Sequence, residues 1–288
     1  MSLVTDQRSG KLRHGGFRST LADVVHVSDL LAIGLVPLVL AAVAALPRAT
    51  LEGLTFDVTE PSVVTAYASH FVHLDAVHLL GNLSVYFPAV LVAYLLCVLS
   101  GRRRLFVITF VTLLVAFPFA LSAMQLVFPR ERFVFGFSGI NAGFVGLACF
   151  ALPGYLGANV SAKVDERYAP ALLFVVVGLA ALLSLPERGF RIEVAAGALG
   201  LAAAYVAVGL YRQGAPTLAE IRSAVDTPGY FELAGAGFGL LVGYPFVAFQ
   251  DAVVPQGGVV DIYVHVLGFC LAFIVVFVFV FVSEWVER

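Results

Sequence analysis

Eight stretches of about twenty mainly apolar residues follow one another along this chain, at about 28–46, 78–100, 105–128, 138–157, 168–185, 193–211, 231–251 and 262–282. A helix needs about 20 such residues to cross the hydrocarbon of a bilayer. In that medium every backbone N–H and C=O must be satisfied inside the protein, and a helix does so within one segment. The expected fold class is all-α, a polytopic membrane helical bundle. The run at 193–211 is rich in Ala and Gly, and Pro245 interrupts the run at 231–251. Eight spans are expected, with six as the alternative. Composition points the same way: 12% of residues are charged and 60% hydrophobic, whereas a soluble domain carries about 25% charged residues.

Residues 1–27 are expected to form a mobile cytoplasmic tail, and residues 28–288 a transmembrane domain. The polar lead is long for a signal peptide, so the first run reads as a retained span. With the N-terminus inside, the cytoplasmic segments hold twelve Lys and Arg residues: 8, 11, 13, 18, 102–104, 163, 167, 212, 222 and 288. The outer segments hold five, at 48, 130, 132, 188 and 191. That asymmetry obeys the positive-inside rule. Arg102, Arg103 and Arg104 read as a membrane flank, and nothing resembles a phosphate-binding stripe, so nucleic acid is not an expected partner. Cys97, Cys149 and Cys270 fall within apolar runs. They read as buried small hydrophobes, with no spacing for zinc or for a disulfide framework.

Three polar clusters stand out in this apolar background: His78 with Asn82, Gly136-Phe137-Ser138-Gly139, and His265 with Gly268. Polar side chains are costly in hydrocarbon and mark functional sites or internal contacts. Each cluster begins a span that starts on the outer face, so all three belong at similar shallow depth. Serine becomes a nucleophile when a base takes its proton, and His is the usual base near neutral pH. The glycines around Ser138 allow a tight turn into a helix. A helix start also offers backbone N–H groups to an oxyanion. Gly139, Gly143 and Gly146 form a small-residue strip, as do Gly268 and Ala272, and two such strips can pack backbone against backbone. That packing is expected to bring the Ser138 hydroxyl within hydrogen-bond reach of His265. His78 and Asn82, four apart, share one helix face as N–H donors, and Asp75 reads as the N-cap of that helix.

At these residues the chain resembles the rhomboid family of intramembrane serine proteases. The resemblance rests on His70-Phe-Val-His73-Leu-Asp-Ala-Val-His78-Leu-Leu-Gly-Asn82, then Gly136-Phe-Ser138-Gly139, then His265-Val-Leu-Gly268. It covers about residues 65–282. It implies a six-helix core, here with two additional spans between Ser138 and His265. It implies Ser138 as nucleophile, His265 as general base, and an oxyanion hole from His78, Asn82 and the Ser138 N–H within the Gly136 and Gly139 frame. The implied substrates are transmembrane protein segments, cut near the outer face from within the lipid bilayer. No cofactor or metal is called for.

Four departures accompany the resemblance. Ala142 occupies the position where the family often has Tyr beneath the catalytic His. The Trp-Arg pair of the first outer loop is absent, Trp285 being the only tryptophan. Ala272 replaces a usual Gly, and the extra spans obscure which helix is the family's gate.

The competing readings are a catalytically silent rhomboid-like protein that binds membrane clients, and a small transporter or channel. Asn82 has the alternative of merely tying helices together. His70 and His73 read as organisers of the loop, with direct contact with substrate as the alternative. Asp261 is either an orienter of His265 or simply an acid at a helix start. Phe273, Phe277, Phe279 and Phe281 read as lipid-facing. Ser84, Ser100, Ser122 and Ser184 have no assigned role.

Overall fold

The computed structural model describes residues 16–127, 133–185, 188–249 and 262–286. The chain is an all-α polytopic bundle, and its only strands among those residues are two-residue segments. The helices are α1 (Phe17–Val24), α2 (Val27–Ala44), α3 (Arg48–Gly53), α4 (Val63–Ala68), α5 (Ala76–Leu99), α6 (Arg103–Val115), α7 (Phe117–Val127), α8 (Ser138–Asn159), α9 (Ala169–Ser184), α10 (Arg188–Gln213), α11 (Leu218–Val225), α12 (Tyr230–Ala248) and α13 (Ile262–Val286). Seven stretches are long and apolar enough to cross a membrane, and the bent pair α6–α7 makes an eighth if counted as one span. Among the described residues each of the eight expected runs therefore contains a helix.

The third run departs from a straight span. Its two halves meet at 49°, just ahead of Pro118. Proline has no N–H to give the carbonyl four residues back and its ring clashes there, so the helix bends. The carbonyl released is that of Leu114, and the Tyr67 hydroxyl donates to it at 3.2 Å.

Helix α8 is the hub, almost wholly buried among α5, α6, α9, α12 and α13. Its many Gly and Ala residues let neighbours approach on every side. Tyr86 of α5 packs edge-on against Phe137 and Phe144 at 5.8 Å each. On α13, Phe273 is 3% exposed and packs with Phe277 against Phe150 of α8. These two rings correct the expectation of lipid-facing filler: residues 269, 273, 276 and 280 repeat at helical spacing on the buried side. Phe279, by contrast, is exposed. Helix α9 packs against α8, α12 and α13, and α10 mainly against α9.

The N-terminal lead is not wholly loose. Residues 1–15 lie outside the described residues, but α1 docks on the start of α12. Phe17 packs edge-on against Tyr230 at 5.1 Å, and the Tyr230 hydroxyl donates to Thr20 Oγ1 at 3.1 Å. At the same end of the bundle the Arg103 guanidinium grips Asp29 through two bonds of 2.6 and 2.7 Å, and Tyr94 donates to the same carboxylate at 3.1 Å. This joins α2, α5 and α6.

Candidate active site

Ser138 is the first residue of α8 and is half-buried. The turn that delivers it needs Gly136, whose φ is +107°, a region that L side chains rarely adopt. Space makes the same demand. A Cβ on Gly136 would lie 2.7 Å from Cε1 and 2.9 Å from Nε2 of His78, so the imidazole rests directly on this glycine. The Gly136 N–H donates to the Ser69 carbonyl at 2.9 Å. An antiparallel pairing of β1 (Phe56–Asp57) with β2 (Phe133–Val134) steadies the approach, with Phe56 opposite Val134.

The two small-residue strips interlock as expected. A Cβ on Gly139 would lie 2.5 Å from Val264 Cγ1, and one on Gly146 2.5 Å from the Phe269 carbonyl. A Cβ on Gly268 would fall on the Gly139 carbonyl itself. Ala272 is accommodated because it faces glycines: its Cβ would be 3.6 and 3.2 Å from added methyls at Gly143 and Gly146. Gly139 and Val264 flank Ser138 and His265 in sequence, so their contact puts the starts of α8 and α13 side by side.

His265 is 7% exposed, and its Nδ1 bonds the Ala248 carbonyl of α12 at 2.8 Å. Among the described residues the Ser138 hydroxyl takes part in no hydrogen bond, so the expected direct bond to His265 is not made in this structure. Ala142 is buried beneath Gly268, leaving no ring in the position of the family's aromatic. The ring beside His265 comes from the residue that follows α12: Phe249, edge-on at 6.2 Å between centroids. Asp261 lies outside the described residues.

Asn82 shows the helix-tying character expected of it. It is 6% exposed, and its Nδ2 donates to the His78 carbonyl at 3.1 Å. Its own backbone and side-chain oxygens accept from Asn141 Nδ2 at 2.9 and 3.2 Å. The amide thus ties α5 to α8, while its NH2 group keeps a second hydrogen to donate. Asn141 is a residue that sequence reasoning missed. Its signal was an amide three residues after Ser138 inside an apolar run, 2% exposed in the fold.

The loop before α5 is built on histidines. His70 is 1% exposed, with Nε2 3.0 Å from Ser122 Oγ, which in turn donates to the Ala66 carbonyl at 2.7 Å. The Ser122 hydroxyl therefore accepts from a neutral His70 and earns a role that the sequence had not suggested. Burial pushes the His70 imidazole down to about 4. His73 is 2% exposed, neither of its ring nitrogens is hydrogen-bonded, and its ring meets His78 at 4.9 Å. Burial, and then the charge His78 would carry, hold His73 at about 4 as well. Asp75 caps α5, accepting from the His78 N–H at 2.7 Å. The described residues contain no cluster of metal-ligating side chains.

The grouping therefore unites a hydroxyl at a helix start, an imidazole on the adjoining helix start, and a second imidazole laid over the entry glycine. No family model matches this chain, and neither the curated proteins nor the solved structures contain a match to it.

Proposed function

We propose that the chain is an intramembrane serine endopeptidase of rhomboid type that cleaves transmembrane segments of membrane proteins. The observation that carries this reading is the glycine-mediated contact of α8 with α13 beside Ser138 and His265, with His78 seated on Gly136. In the proposed reaction the Ser138 oxygen attacks the scissile carbonyl carbon and its proton passes to His265. The oxyanion is met by the His78 side chain, the spare Asn82 hydrogen and the Ser138 N–H. Collapse of the intermediate breaks the C–N bond, and the leaving amine takes the proton from His265. Water then hydrolyses the acyl-enzyme by the same relay. The positive-inside asymmetry supports a cytoplasmic N-terminus, an opening to the outer side and a cell-membrane location.

The test is intact-mass labelling with a fluorophosphonate, comparing the purified wild type with Ser138→Ala and His265→Ala. A single adduct, lost in both variants, is the expected result. A folded wild type that takes no adduct would overturn the reading. It would favour the second one, a silent client-binding protein, which draws support from the unbonded Ser138 hydroxyl and the Asn82–Asn141 tie.

A further inference from the structure

The base of the proposed dyad is held by α12. The Ala248 carbonyl can only accept, so the 2.8 Å bond places a proton on His265 Nδ1. In the neutral ring the lone pair then belongs to Nε2, the nitrogen that must take the serine proton. Ala248 is the last residue of α12. The final carbonyls of a helix have no intrahelical donor, and they carry the negative end of its dipole. This side of the imidazole is buried: Ala248, Phe249 and His265 are 5%, 1% and 7% exposed. Phe249 stands edge-on to the imidazole and is itself packed edge-on by Tyr244 at 5.7 Å. On the α8 side Ala142 offers only a methyl group.

We infer that the Ala248 carbonyl is a positioning group for His265, and that the end of α12 does the work of a third triad member. This rests on the protease reading. As the Ser138 proton moves to Nε2, the ring becomes an imidazolium and its Nδ1–H bond becomes charge-assisted and stronger. A buried carboxylate gives the same help in a Ser-His-Asp triad. Here a helix terminus supplies it without adding a net charge to the hydrocarbon. The missing aromatic at Ala142 is thereby made good from the end of a different helix, and the placement of α12 sets the competence of the base.

The test replaces Phe249 with its α-hydroxy analogue, phenyllactate, in the full-length chain. The Ala248 carbonyl becomes an ester carbonyl, a weaker acceptor, with no side chain altered. That change also removes the Phe249 N–H bond to Pro245, which is 3.0 Å long. An ester at position 248 is the matched control, since it removes one helical N–H but leaves the Ala248 carbonyl an amide. The fluorophosphonate labelling rate is expected to fall about five- to tenfold for the 249 ester relative to the 248 ester. The ¹⁵N spectrum of His265 should show protonated Nδ1 in the wild type and a tautomer mixture in the 249 ester. Equal rates for the two esters, or a wild-type ring protonated on Nε2 alone, would overturn the inference while leaving the protease reading intact. A wild type that fails to label overturns both.

Discussion

Gly139 and Gly268 meet backbone to backbone, with no room between them for even a methyl group. A Gly268→Ala change forces α13 away from α8, and overpacking of this kind costs about 1–3 kcal/mol. Gly239 of α12 faces open space, so Gly239→Ala should leave stability unchanged or slightly raised. Thermal unfolding in one detergent, with the two variants run beside the wild type, checks the contrast. Equal melting temperatures for the pair would remove the interlock from the account.

Asn141 and Asn82 should separate by readout. Asn141→Ala deletes the two bonds to Asn82. It is expected to cost about 1 kcal/mol of stability while leaving most of the labelling rate. Asn82→Ala removes a proposed oxyanion donor as well, so kcat should fall about 10²-fold or more. Parallel measurement of melting temperature and substrate turnover decides whether the two amides play different parts.

The Asp29 carboxylate is 7% exposed and is held by Arg103 and Tyr94. Asp29→Ala strands both partners. Arg103 is partly open to solvent, with a 40% exposed side chain, and this tempers the cost to about 1–3 kcal/mol. Arg103→Met with Asp29→Leu should recover much of that loss, because a well-packed apolar pair needs no desolvation. Denaturant unfolding of the single and double variants gives the coupling directly.

His70 and His73 supply a pH dependence. Both are held at about 4, below an ordinary value of 6.5. Between those limits the unfolded chain binds more protons than the folded one, so stability falls as pH drops from 6.5 towards 4. Each ring contributes about 2–3 kcal/mol over that window. His73→Phe, which fills the buried site with an unprotonatable ring, should flatten the melting temperature against pH between 6.5 and 4. A profile parallel to that of the wild type would show that His73 is not buried as a neutral ring.

Sequence reading was strongest where the physics is local. Hydropathy over twenty residues, the glycine strips around Ser138 and Gly268, and the Asp75 cap all depend on spacing along one helix, and each reappears in the fold. The bend ahead of Pro118 was also local and open to inference, but its acceptor, the Leu114 carbonyl, finds its donor in Tyr67, 47 residues away. A periodic pattern cannot name such a partner.

What the sequence by itself determined is the class of the molecule. A chain this apolar must satisfy its backbone within helices. What only the tertiary structure decided is how those polar groups are employed. Asn82 turns to Asn141, 59 residues away, Ser122 turns to His70, 52 away, and His265 turns to the Ala248 carbonyl. These choices follow from which helices lie side by side and how closely their small residues let them approach, a property of the packed bundle that no single segment carries.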